Sequence, residues 1–276
     1  MTPIVIALVL GAALLHASWN AILRGGADRL WSVTIMCGVS IVVALPFLFL
    51  LPSPARASWI CIGLSSALQV SYCFFLVRAY HHGGLAQVYP IARGTAPLLV
   101  TLGAAVVVGQ RLTPAALAGV ILVSLGIMAL AFERARLAAA STLYALATGG
   151  FIAAYTVTDG IGARLAGNPQ SYTAWLFVVQ GLGMIAAYTV ARGRLALPRD
   201  GEMLRAVIGG VFGLISYGVV IWALARAPMG QVSALRETSI LFAAVLGALF
   251  LKEKVTLPRA GAAAMIAAGA VVLAAG

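Results

Sequence analysis

Four ionisable residues sit inside apolar stretches: Arg93 in "YPIARGTAPLL", Asp159 in "AAYTVTDGIG", and the adjacent Arg236 and Glu237 in "SALRETSILF". A guanidinium can grip a carboxylate through two parallel hydrogen bonds. A carboxylate can pair with arginine, hold an ammonium group or carry a proton, and the sequence leaves those three roles of Asp159 open. At helix-centre depth in lipid each such residue costs a few kcal/mol, so it faces the protein interior and has a partner. Two readings follow: buried ion pairs that fix helix registers, or the lining of a polar cavity that receives a charged small molecule. Other polar and aromatic residues share their faces. Tyr89 lies four residues before Arg93, and Tyr155 four before Asp159. In the first apolar stretch His16 and Asn20 repeat that spacing, with Trp19 beside them. Gln69, Tyr72, Leu76 and Tyr80 form a helical stripe on the third, and Ser216, Tyr217 and Trp222 stand on the eighth; such stripes are more often packing than a substrate wall. The candidate substrate-binding set is Arg93, Tyr89, His16, Asn20, Trp19, Tyr155, Asp159, Arg236, Glu237 and Tyr80. Arg93→Ala is expected to lower transport of a carboxylated molecule while leaving the fold intact.

Other chemistries lack their residues. The serines in "GLSSA", Ser65 and Ser66, have no base in a recognisable context, and Asp159 and Glu237 lack the motif of a carboxylate pair sharing a proton. No phosphate-cradling loop appears, and no cofactor or metal is implied. His81 and His82 are adjacent and point apart on any regular element. Cys37, Cys61 and Cys73 fall inside apolar stretches and read as packing residues. An enzyme is not expected.

These residues must be positioned within a membrane. The chain has 276 residues, 62% of them hydrophobic and 9% charged, and a mean hydropathy of +1.04. Spanning helices need about 20 apolar residues. Ten such segments are predicted, at 3–23, 30–52, 58–80, 84–108, 114–132, 139–163, 170–191, 203–227, 229–250 and 256–275. Lipid offers no hydrogen bonds to the backbone, and these runs are too long for barrel strands, so the fold class is an all-α integral membrane bundle in the lipid bilayer. The N-terminal run lacks a basic region and continues past His16 to Leu23, so it is expected to stay as a first helix rather than be cleaved.

The net charge of +11 comes from basic residues scattered singly through the breaks, which makes them topology signals rather than a nucleic-acid surface. Of 18 Lys and Arg, twelve fall in breaks 1–2, 3–4, 5–6, 7–8 and 9–10, and four (Arg56, Arg111, Arg164, Arg226) on the opposite side. The positive-inside rule then puts both termini on the periplasmic side.

The two halves resemble each other. "ARGTAPLLVTLGAAVVVGQRLT" aligns with "LRETSILFAAVLGALFLKEKVT" at a shift of 256 − 113 = 143, pairing Arg93 with Arg236, Thr95 with Thr238 and Gly126 with Gly269. Two five-helix units, 1–136 and 137–276, are predicted. Because five is odd, the second enters the membrane upside down, making two inverted repeats. Transporters use inverted repeats to open a midplane site alternately to either side. Here that site would be lined by helices one, three, four, six, eight and nine. One chain carries both halves, so a monomer is expected to suffice.

"GQRLTPAALAGVILVSLGIMAL" and "LKEKVTLPRAGAAAMIAAGAVVLAA" resemble the close of the EamA-type repeat, and Thr95 to Pro97 its Thr-Pro segment. Two such repeats make the drug/metabolite transporter superfamily. The resemblance implies a ten-helix carrier of the bacterial inner membrane with a central cavity, with amino-acid exporters of the YddG type among its nearest members. It implies a small-molecule partner, amino acids foremost, and leaves multidrug efflux as the alternative. Small four-helix drug exporters use a glutamate in the first helix, where this chain offers only His16 and Asn20.

Overall fold

The computed structural model describes residues 1–22, 28–82, 85–131, 139–194, 201–251 and 256–275. Its elements are α1 (Pro3–Ile22), α2 (Arg29–Leu50), a short 3-10 turn (Arg56–Ser58), α3 (Trp59–His82), α4 (Leu85–Val108), α5 (Pro114–Ala129), α6 (Ala139–Leu165), α7 (Pro169–Arg192), α8 (Glu202–Leu224), α9 (Met229–Arg236), α10 (Ser239–Leu251) and α11 (Leu257–Ala275). Among the described residues, eight helices are long and apolar enough to cross a membrane.

Helix starts follow from side chains that satisfy the free N–H groups of a first turn. Asp28 accepts from the Trp31 N–H at 3.1 Å and Thr113 from Ala116 at 3.2 Å. Asn168 accepts from both Gln170 and Ser171. Pro114 and Pro169 occupy first-turn positions that need no donor.

Two predicted spans differ in the structure. The fifth is a shorter helix of 16 residues. The ninth, predicted as one helix over 229–250, is split: α9 stops at Arg236, and α10 begins at Ser239. No proline or glycine marks the break. Instead the Thr238 hydroxyl and N–H both take the Leu235 carbonyl, at 2.7 and 3.2 Å, which competes with the α-helical acceptor pattern at that turn. By contrast α4 runs without interruption through Pro90 and Pro97.

The packing pairs are reciprocal between the halves. α3 packs on α6 and α8 on α1; α2 packs on α8 and α7 on α3; α4 packs on α6 and α10 on α1. At the α5–α11 contact, a Cβ on Gly126 would meet the Ala262 carbonyl at 3.1 Å and Ile266, whereas a Cβ on Gly269 would meet the Gly119 carbonyl at 2.9 Å and Val123. With the shift of 143 these two contacts are images of each other. Small residues there let the backbones touch, the means by which helices associate without a hydrophobic driving force.

Four connectors meet at one end of the bundle. The Ala55 N–H donates to the Ala166 carbonyl at 3.2 Å. Arg164 donates to the Leu224 and Ala227 carbonyls, each at 2.9 Å from its terminal nitrogen, and the Met229 N–H donates to Gln110 Oε1 at 2.7 Å. These bonds tie the α2–α3, α6–α7, α8–α9 and α4–α5 connections together.

Candidate functional site

The intramembrane charges converge in the interior. Asp159 and Glu237 are 0% exposed, Arg93 5% and Arg236 4%, so none reaches out to the membrane surface. The break after α9 places Glu237 between the two arginines. Arg93 Nε lies 2.7 Å from Glu237 Oε2, and an Arg236 terminal nitrogen 3.8 Å from Oε1. A terminal nitrogen of Arg93 faces His16 Nε2 at 3.4 Å, and its guanidinium stands 5.8 Å from the centre of the Tyr89 ring. Two guanidiniums around one carboxylate leave this group with one excess positive charge when the histidine is neutral.

The ion pairs are in contact but not aligned as hydrogen bonds. Among the described residues, Arg93 Nε, Arg236 Nε and both Glu237 oxygens are buried without a hydrogen-bond partner. Buried polar groups are almost always satisfied, and an orphan costs about 1–3 kcal/mol or more when charged. Arg93 Nε and Glu237 Oε2 still hold each other as an ion pair at 2.7 Å, so the capacity left unspent lies at Arg236 Nε and Glu237 Oε1.

Asp159 has a different environment. Its two oxygens accept from the hydroxyls of Tyr172, at 2.8 Å, and Tyr217, at 2.5 Å, with Gln69 Nε2 at 3.4 Å from Oδ2. Gln69 also donates to the Ser65 hydroxyl at 3.0 Å. Neutral donors thus hold this carboxylate. Tyr217 links the two centres, because Arg236 lies 5.8 Å from its ring centre. Around it runs a chain of tilted and edge-to-face rings: Tyr72 to Tyr155, Tyr155 to Tyr217, and Tyr217 to Phe177, at 6.0, 6.0 and 6.4 Å.

The structure therefore brings together Arg93, Tyr89, His16, Arg236 and Glu237, and places Tyr155 and Asp159 beside them across Tyr217. Trp19 packs its edge against His16 at 5.1 Å, with its indole N–H buried and unpartnered. Asn20 turns back on its own helix, donating to the His16 carbonyl at 2.8 Å, so it does not join the cluster. The side chains of Tyr80, His81 and His82 lie outside the described residues. Tyr172 is an addition, and it brings in α7, a helix not expected to line the site. The signal was present: Asn168-Pro169 fixes the start of α7 just after α6 ends, which sets Tyr172 in the first turn against Asp159 near the end of α6. Gln69 and Tyr217 belong to stripes expected to pack, and here both face Asp159. Asp159 and Glu237 have separate partners and do not share a site in the manner of a carboxylate dyad.

Comparison with known proteins assigns a family to the second half of the chain. Residues 140–275 match the EamA-like transporter family, so the second half of the chain carries an EamA-like transporter domain. No curated protein matches the sequence. One solved crystal structure superimposes with a TM-score of 0.75, covering 98% of this chain and 94% of that chain at 21% sequence identity, a likeness that shows the fold. The match does not single out amino-acid exporters of the YddG type within the family.

Proposed function

We propose that this chain, a multi-pass membrane protein with an EamA-like transporter domain, is a secondary carrier for small metabolites bearing a carboxylate, with amino acids the foremost cargo. The observation that carries this reading is the buried Arg93–Glu237–Arg236 cluster, with an excess positive charge, Arg236 Nε without a hydrogen-bond partner, and only a 3.8 Å contact between Arg236 and Glu237 Oε1. An entering carboxylate neutralises the excess charge and accepts from the free guanidinium N–H groups, which a buried site rewards strongly. Arg236 is the better placed ligand, since its acid partner stands at 3.8 Å; Arg93 is committed to Glu237.

The carrier works by alternating access. Two five-helix units, 1–136 and 137–276, rock about the cluster in inverted orientation. Support comes from the reciprocal packing of the helices and from the mirrored contacts of Gly126 and Gly269. In this reading the protein sits in a bacterial inner membrane with its termini on the periplasmic side, and one chain suffices. Asp159, in reach of Tyr217 and the ring chain, is the residue to receive a substrate ammonium group or a transported proton.

The test is counterflow in liposomes that contain the purified protein, preloaded with mixed amino acids and presented with labelled ones singly. Saturable accumulation above empty liposomes is the expected result. Folded, inserted protein that accumulates no amino acid but moves cationic drugs would replace this reading with multidrug efflux.

A further inference from the structure

Away from the charged cluster, a crevice of about 200 Å³ lies between α2, α7 and α8. Its walls are helical stripes: Val43 and Phe47 on α2 with Leu51 just past its end, Thr173 and Phe177 on α7, and Leu214, Gly218 and Trp222 on α8. The eight steps from Val43 to Leu51 give the crevice a length of about 12 Å at 1.5 Å per residue. It extends to the end where α2 stops, α7 starts and α8 finishes, which is the end at which the four connectors are tied together.

Charge at that end is of one sign. The chain has seven acidic residues. Asp159 and Glu237 are in the interior, and Asp28, Glu133, Asp200, Glu202 and Glu253 all fall in the opposite breaks. The connectors at the crevice end hold Arg56, Arg111, Arg164 and Arg226 and no carboxylate. Arg226 is exposed and stands over the ring of Trp222, 4.3 Å from its centre, so the same tryptophan that walls the crevice carries a cation at its mouth. Arg164 fixes this turn by its bonds to Leu224 and Ala227.

We propose that this crevice is a binding site for one anionic phospholipid, its acyl chain lying along α2, α7 and α8 and its phosphate on Arg226. An apolar channel of this length takes a hydrocarbon chain, and the tryptophan and arginine sit where the chain gives way to the headgroup. The acid-free end favours a lipid with net negative charge over a zwitterionic one by about 1 kcal/mol for each nearby basic residue, or roughly fivefold. The lipid chain rests against Phe177, whose ring packs on Tyr217, so its presence supports the residue that binds Asp159.

Native mass spectrometry of the purified protein, titrated with phosphatidylglycerol or with phosphatidylcholine of the same chains, tests the site. Phosphatidylglycerol is expected to bind about fivefold more tightly, and Arg226→Gln to remove that preference. Gly218→Leu is expected to lower the binding of both lipids, because the new side chain enters the crevice. A Cβ at that position meets only Thr173 Cγ2, at 3.5 Å, so the backbone has room for a side chain there, and an unchanged melting point of the variant confirms its fold. Equal binding of the two lipids by the unaltered protein, or unchanged binding of both by Gly218→Leu, would overturn the proposal.

Discussion

Arg93 and Arg236 occupy aligned positions in the two halves, yet the residue that follows them differs. After Arg93 comes Gly94, and α4 continues unbroken; after Arg236 comes Glu237, and the helix is interrupted. At Gly94 an added Cβ would stand 2.5 Å from Met128 Cγ and 3.0 Å from the Ser124 carbonyl, so the first half uses this position to press α4 against α5. The second half uses it for a carboxylate that serves both arginines, at 2.7 Å to Arg93 and 3.8 Å to Arg236. The two aligned segments thus use the position differently: one holds the scaffold, and the other supplies the charge and the break. The cluster is asymmetric for that reason, and Arg93 is the more tightly bound of the two arginines.

The largest expected effect comes from removing the shared acid. Glu237→Gln leaves two buried guanidiniums without a countercharge and should destabilise the protein by about 3–5 kcal/mol, read as a lowered unfolding midpoint in detergent. If Glu237→Gln melts like the parent, the carboxylate is not what holds the arginines. Next in size is Arg236→Ala, which should lower counterflow of a carboxylated amino acid at least tenfold, about 1.4 kcal/mol, with little change in melting. Arg93→Ala sharpens the contrast: the sequence alone leads to an expectation of an intact fold, but the change strips Glu237 of its 2.7 Å partner, so its loss of transport should be accompanied by a lowered melting point.

Gly94→Ala tests the other half of the division. Overpacking against α5 should cost about 1–3 kcal/mol, and a neutral result would mean that α4 and α5 can separate freely at this point. Tyr217→Phe is the mildest change. It removes one hydroxyl donor from Asp159 and should cost about 0.6–1.7 kcal/mol, the range for hydrogen bonds between membrane helices.

Much of this arrangement could be read from residue types and spacing. Apolar runs of about 20 residues placed the helices, because the cost of polar groups in lipid is a local rule; the caps Asp28, Thr113 and Asn168 show in the structure. The same cost pointed to Arg93, Asp159, Arg236 and Glu237 as interior residues. The break in the ninth span was not legible: it rests on a threonine hydroxyl choosing a backbone carbonyl, which composition does not reveal. Nor were the partners of Asp159. The Asn168-Pro169 start of α7 hints only that Tyr172 lies close to Asp159 in the chain; that it and Tyr217, from a third helix, bring their hydroxyls to one carboxylate is the work of tertiary packing. Asn20 shows the reverse error, since correct spacing put it on the right face while its amide bonded its own helix.

The most direct measurement is counterflow of labelled amino acids by the Arg236→Ala variant beside the parent protein, with both shown to be folded and equally inserted in the liposomes. A carrier whose buried cluster grips the cargo carboxylate predicts saturable accumulation by the parent and a loss of at least tenfold in the variant. Parental rates in Arg236→Ala would contradict it and leave the cluster as a structural set of ion pairs.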